Sequence, residues 1–298
     1  MKENVPRLTA WSEFASLPVG VAGGYVGLAG GELVYSGGTT WVDGTKQWLR
    51  TTKRHTGKGW ADGPPLPRGM AYGSCVQRPG GMEIYAGTDG LQVYGGCWRL
   101  TANGQEWQKV GEMQRPILLS QAVVVEGRVI LSGGAVDAGL SSFTDQVWAG
   151  EGSRWAVLGR LPDGPVALAA SVMAGDRRMY IFGGCSAGPV NRNDAFRFDI
   201  EAGSWEAVRP VPITARGTAG VALDTRYILL AGGYSEGGFS RRCFLYDSEA
   251  DVYRDAADLP LGLSGPAILR VGEFVYVCGG EPQIRERSPL VLRAKIMR

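Results

Sequence analysis

Short apolar runs that stop at glycine punctuate the chain. Phe274-Val-Tyr-Val-Cys278 is a run of aromatic, β-branched and small apolar residues ending at Gly279-Gly280, which reads as a strand closed by a doublet where most side chains could not follow the backbone. The same pattern recurs as Leu33-Val-Tyr-Ser-Gly37-Gly38, Val129-Ile-Leu-Ser-Gly133-Gly134, Met179-Tyr-Ile-Phe-Gly183-Gly184 and Tyr227-Ile-Leu-Leu-Ala-Gly232-Gly233. A degenerate copy, Met82-Glu-Ile-Tyr-Ala-Gly87-Thr88, fills the remaining gap, and the copies step by 46 to 50 residues. A second marker, an aromatic at Trp11, Trp60, Trp107, Trp155, Trp205 and Tyr253, steps by 47 to 50. Two independent markers with one period define a six-fold repeat.

Each repeat reads as four short strands. Met70–Val76 or Ala167–Met173 is an inner strand, the glycine-pair strand follows, Ala195–Asp199 or Cys243–Asp247 is a third, and the aromatic strand is last. A four-stranded sheet repeated radially near this period is the blade of a kelch-type β-propeller. The expected fold is therefore an all-β, six-bladed kelch propeller spanning residues 1–298 as one domain. Trp11 has no strands before it, and the strand from Pro289 to Ile296 has no aromatic strand after it. Residues around Ala10–Phe14 are thus expected to complete the last blade, because an open ring would leave strand edges unpaired. The longest insertion, Thr39 to Gly59 with Trp41, Lys46 and Trp48, reads as a loop that could overhang the axial opening.

Composition narrows the chemistry. The 46 glycines among 298 residues are roughly twice the usual ~7% and suit turns rather than helices. With 31 basic and 29 acidic residues the net charge is +2, which gives no general attraction to nucleic acid or membranes. Cys75, Cys97, Cys185, Cys243 and Cys278 lack metal-like spacing and read as small buried hydrophobes. His55 is the single histidine and, beside Lys53, Arg54 and Lys58, reads as a solvated loop residue. Histidine-rich metal sites are excluded, and a catalytic triad would need His55 itself. No apolar run reaches ~18 residues, and the first ten residues lack a signal-peptide core, so a cytoplasmic location is expected, or a periplasmic one for a processed form.

In a propeller the residues just after each glycine pair face the axial mouth. Here they are Thr39, Asp89, Ala135, Cys185, Tyr234 and Glu281, joined by Arg68, Tyr72, Arg115, Arg216 and Ser264 at the openings of the inner strands. Several arginines and few carboxylates suit an acidic small molecule, because a guanidinium grips a carboxylate through two parallel hydrogen bonds. Glu281 and Arg287 flank a short turn, where facing β-carbons lie about 4.5–5.5 Å apart. A guanidinium beside a carboxylate favours the ionised form, which accepts a proton. The competing reading is a surface ion pair worth at most ~1 kcal/mol.

Two stretches carry a resemblance. One is Gly20-Val-Ala-Gly-Gly-Tyr-Val-Gly27 with Asp43-Gly44-Thr-Lys46, Trp60 and Arg68-Gly-Met-Ala-Tyr-Gly73; the other is Gly279-Gly280-Glu281-Pro-Gln-Ile-Arg-Glu-Arg287. The chain resembles the bacterial N-acetylneuraminate epimerases, or sialic acid mutarotases, and particularly their cyclically permuted relatives. Gly279 stands where that family has Asn, blade two has Gly87-Thr88 for a doublet, and the family's export signal is missing. The resemblance implies interconversion of α and β anomers of a 2-keto sugar acid with no metal or organic cofactor. It implies Glu281 and Arg287 as the catalytic pair, with Arg68, Tyr72, Arg115 and Arg216 as substrate-binding candidates. The alternative is a non-enzymatic kelch module that binds a protein or glycan through Trp41, Trp48 and Trp98. A copper radical oxidase lacks its histidines, and a hydrolytic sialidase lacks repeated Ser-x-Asp-x-Gly-x-Thr-Trp boxes.

Overall fold

The structure, a computed structural model, describes residues 5–175 and 177–298. Six antiparallel sheets are arranged around an axis, each running from an inner strand outward. Blade one comprises Tyr25–Ala29, Glu32–Ser36, Thr52–His55 and Trp60–Asp62, paired in that order. Blades two to five repeat it, opening with the inner strands Ser74–Arg78, Ala122–Val125, Ala170–Ala174 and Ala219–Ala222. Blade six takes Ala267–Val271, Phe274–Cys278 and Leu290–Met297 from the end of the chain and its outer strand, Ser12–Ser16, from the beginning. The closure register pairs Ser12 with Arg293 and Ser16 with Leu290, and Arg7–Leu8 adds a second short pairing at Met297 and Ile296. Each inner strand touches the next, including the sixth with the first, so the ring is closed as the repeat pattern predicts.

The glycine-pair strands are apolar at consecutive positions because a blade is covered on both faces. Ile228 and Leu230 face the blade-four interface while Leu229 and Ala231 face blade six. Among the described residues the buried apolar side chains sort into six clusters, one per blade interface. Side-chain alternation along a strand thus divides each blade between two neighbouring cores.

Two local expectations are corrected. Residues 39–59 are not one loop: Thr39–Val42 and Thr45–Trp48 form a hairpin, and Thr52–His55 is the third strand of blade one. His55 accordingly lies in a sheet, its ring 4.6 Å from Phe14 and 5.3 Å from Trp60. A third-strand run as polar as Thr-Lys-Arg-His hides its pairing from a hydrophobicity pattern. In blade two the doublet is Ala86-Gly87, one position earlier than read. Ala86 adopts φ 57°, the left-handed region that glycine takes elsewhere, and Thr88 bridges to Ala71. The post-glycine residue of blade two is therefore Thr88, not Asp89.

Candidate functional site

One backbone device repeats at the mouth. The residue after each doublet pairs with the residue leading into the inner strand: Ala22–Thr39, Ala71–Thr88, Leu118–Ala135, Ala167–Cys185, Arg216–Tyr234 and Ser264–Glu281. In blade six the doublet has φ 64° and 101°, and a β-carbon on Gly279 would lie 2.5 Å from the Val21 carbonyl oxygen. Only glycine lets the neighbouring blade pass that close. Glu281 then exchanges two backbone hydrogen bonds with Ser264, at 2.8 and 2.9 Å. The turn that follows has Arg285 at φ 62°, and Ser288 N–H closes it onto Gly280 C=O at 2.8 Å.

That turn brings Arg287 back against Glu281. Arg287 Nη1 donates to Glu281 Oε1 at 2.5 Å and to the Glu286 carbonyl at 2.9 Å, while Nε donates to Thr39 Oγ1 at 3.2 Å. Thr39 Oγ1 lies 3.3 Å from the Tyr72 hydroxyl, so the line of polar groups runs across blades six, one and two. Side-chain exposure separates the partners: 5% for Arg287 and 32% for Glu281. The guanidinium is packed away and the carboxylate is accessible, with Oε2 unpaired among the described residues. Unequal exposure is common in the ion pairs of this protein, as in Arg78–Glu151 at 13% and 54%; what sets this pair apart is how deeply the guanidinium is packed.

An axial cavity of about 490 Å³ contains Glu281, Arg287, Tyr72 and Arg216 in its lining, with Leu140 and Phe239 among the apolar walls. Arg216 Nη1 donates to Asn191 Oδ1 at 2.6 Å and to the Pro189 carbonyl at 3.2 Å, and its guanidinium stacks 4.5 Å from the Tyr234 ring centre. Among the described residues Arg216 has no carboxylate partner. Since Arg287 already balances Glu281, the uncompensated charge in the lining is positive. Lys46 adds a further cation, 4.7 Å over the Tyr72 ring. Cys75 also lines the cavity, but burial pushes its thiol up to about 12, so at neutral pH it is not a thiolate nucleophile. Among the described residues no group of His, Cys, Asp or Glu side chains converges as a metal site.

Of the substrate-binding candidates, Tyr72 and Arg216 therefore join Glu281 and Arg287, whereas Arg68 and Arg115 do not line this cavity. Arg68 is exposed and stacks 4.1 Å over Tyr94, whose hydroxyl bonds Asp89. That bond holds the Asp89 carboxyl below its ordinary range. Arg115 lies in a separate depression with Phe143, Asp145 and Arg160. Thr39 was readable as a mouth residue from its place after the Gly37-Gly38 pair, but not its role, which comes through Arg287 and Tyr72; Asn191 matters only through Arg216 and falls in no charged or glycine motif. The tryptophans expected for a binding face are half-buried instead: Trp48 packs on Gly90, and Trp98 packs on the core between blades one and two.

Comparison with known proteins agrees with the architecture. The Kelch motif is matched over residues 168–212, the span of blade four. The solved structure of YjhT superposes with a TM-score of 0.77, covering 95% of this chain and 99% of YjhT at 14% identity, which shows the shared fold. Mouse Kelch-like protein 35 is 26% identical over 235 residues, 78% of this chain and 38% of that protein. Kelch-like protein terF of Aspergillus terreus is 26% identical over 250 residues, 74% of this chain and 52% of that protein. The chain thus spans well under two thirds of the length of these curated relatives.

Proposed function

We propose, taking the kelch-type propeller and its axial cavity as the premise, that the protein is a mutarotase that interconverts the α and β anomers of N-acetylneuraminate or a related 2-keto sugar acid. The observation that carries this reading is the asymmetric pair: an accessible carboxylate with one free oxygen, held by an almost fully buried guanidinium. In the reaction Glu281 takes the proton of the anomeric hydroxyl and the bond from the anomeric carbon to the ring oxygen breaks. The same carboxyl returns the proton to the ring oxygen, leaving an open-chain keto acid. Rotation about the adjacent carbon–carbon bond and the reverse proton transfers close the ring on the other face of the carbonyl. Protons balance, so the step needs a base that becomes an acid and no external reactant.

Arg287 orients Glu281 and steadies its charge; its 5% side-chain exposure makes it a poor first contact for substrate. Arg216, flat on Tyr234 and lacking an acidic partner, is the group suited to the substrate carboxylate. Tyr72 reaches the pair through Thr39 and forms a wall of the cavity. The ligand is a small acid, in keeping with the expected lack of affinity for nucleic acid or membrane, and a cytoplasmic location remains part of the proposal.

A second reading, a module that binds a protein, is favoured by exposed apolar side chains, Ile284 in the cavity lining at 74% and Leu91 in a blade-two turn at 86% exposure, and by the kelch-like relatives. Saturation-exchange NMR on N-acetylneuraminate separates the two. Exchange between the anomeric signals accelerated by the wild-type protein supports the mutarotase. Unchanged exchange at saturating protein leaves only the binding reading.

A further inference from the structure

A belt of backbone hydrogen bonds runs round the axis, one residue per blade. Gly23, Tyr72, Leu119, Leu168, Gly217 and Gly265 each follow the residue that bridges to the post-doublet position, and all six have φ between 55° and 68°. Five of the N–H groups donate to the carbonyl of the preceding blade: Tyr72 to Gly23 at 2.8 Å, Leu119 to Tyr72 at 2.7 Å, Leu168 to Leu119 at 2.9 Å, Gly217 to Leu168 and Gly265 to Gly217 at 2.8 Å. The sixth link, Gly23 N–H to Gly265 C=O, is not made. Neither atom has a hydrogen-bond partner among the described residues.

The gap is local. The same seam between blades six and one is otherwise tied by Gly280 N–H to Val21 C=O at 2.9 Å, Val21 N–H to Ser288 C=O at 3.1 Å and Arg287 Nε to Thr39 Oγ1. Both residues at the gap are glycine and line the axial cavity, beside the blade that carries Glu281, while blades two to four place Tyr or Leu at that position. Backbone polar groups withdrawn from bulk water almost always find partners. Here a donor and an acceptor are left open to whatever enters the cavity.

We infer that Gly23 N–H and Gly265 C=O form a backbone subsite for an oxygen-rich sugar acid. The N–H donates to the oxygen on the anomeric carbon, and the carbonyl accepts from a neighbouring hydroxyl. This rests on the mutarotase reading and adds to it. When Glu281 removes the anomeric proton, negative charge grows on that oxygen, and the N–H of a residue whose carbonyl is already held by Tyr72 N–H at 2.8 Å stabilises it with little reorganisation. Glycine at 265 keeps the seam empty. A β-carbon there meets nothing within 4 Å, so a larger side chain would extend into the ligand's space.

The test uses the whole chain labelled with [15N]glycine, with N-acetylneuraminate as probe. Binding is expected to move the Gly23 amide signal downfield by more than those of Gly217 and Gly265, whose N–H groups already donate in the belt. Gly265→Leu introduces the residue that Leu119 and Leu168 carry at φ 55° and 57°; it should fold and bind the sugar acid at least ~10-fold more weakly, a factor set by ~1.4 kcal/mol. Sugar acid bound with the Gly23 amide unmoved, or bound equally by a folded Gly265→Leu protein, overturns the subsite and leaves the mutarotase reading standing. No binding by the wild type overturns both. Binding with a moved Gly23 signal but no anomer exchange keeps the subsite and overturns the mutarotase. If Gly265→Leu fails to fold, the wild-type amide shift decides alone.

Discussion

Two glutamate–arginine sites, in blades two and six with blade one between them, do opposite things. In blade two Glu83 is 1% exposed. Its Oε1 accepts from Arg99 Nε at 2.6 Å with Arg78 Nε 3.7 Å away, and its Oε2 accepts from the Tyr85 hydroxyl. Burial, reinforced by that bond, pushes the Tyr85 hydroxyl far above its ordinary value. Both oxygens of Glu83 are occupied and solvent is excluded, so the cluster has no capacity left to take a proton from a ligand. In blade six one oxygen of Glu281 is tied and the other is open to a cavity. The residue types are the same; what separates scaffold from candidate chemistry is how many lone pairs are already spoken for.

The comparison can be broken at several points. The largest effect on stability is expected at the saturated site. Glu83→Ala takes the carboxylate from Arg99 and leaves the Tyr85 hydroxyl unpaired in the core, while Arg78 keeps Glu151 at 2.8 Å; an unsatisfied buried polar group costs about 1–3 kcal/mol. Thermal or urea unfolding should show a large loss, whereas Glu281→Gln, which keeps an oxygen for Arg287, should unfold close to wild type. Equal losses at the two sites would mean that Glu281 is scaffold too. Next in size is Arg216→Gln, which removes the uncompensated cation and should raise KM for the sugar acid roughly tenfold, near the ~1.5 kcal/mol of a hydrogen bond to a charged group, with kcat much less affected. A fall confined to kcat would move Arg216 from binding to the chemical step.

The smallest effect concerns the buried thiols. Burial pushes Cys75, Cys97, Cys243 and Cys278 up to about 12 from an ordinary value near 9. A thiol whose folded pKa is raised contributes stability below pH 9, and that contribution is lost as pH rises from 9 towards 12. Unfolding midpoints should decline across that window. Alkylation of the folded protein by iodoacetamide at pH 8 should be slow at Cys75, the half-buried thiol lining the cavity. Rapid modification there would contradict the thiol assignment and open a nucleophile in the cavity that Glu281 also lines.

Most of the ring was legible because it is periodic. Glycine doublets and outer aromatics report the same backbone constraint in every blade, and the unpaired ends of the pattern already imply closure around Ala10–Phe14, where the structure pairs Ser12–Ser16. Where the period is carried by other residues, legibility fails: Ala86 takes the left-handed position without being glycine, and Thr52–His55 is a strand with no apolar run. At the site, Glu281 and Arg287 were readable because the charge follows the doublet directly. Arg68 and Arg115 were not separable from Arg216, since which arginine reaches the cavity depends on Asn191 and Tyr234 arriving from other strands. The open belt between Gly23 and Gly265 has no sequence signal at all, because the defining feature is a bond that five blade interfaces make and one does not.

The central claim is that the free oxygen of Glu281 moves protons on a sugar acid in the axial cavity. Its most direct test is the rate of exchange between the N-acetylneuraminate anomers, measured by saturation-transfer NMR near neutral pH with wild type and Glu281→Gln at matched, folded concentrations. The account predicts acceleration by wild type and a loss of roughly 100- to 10,000-fold in the variant, the usual worth of a general acid–base group. A folded Glu281→Gln protein that exchanges the anomers as fast as wild type would contradict it.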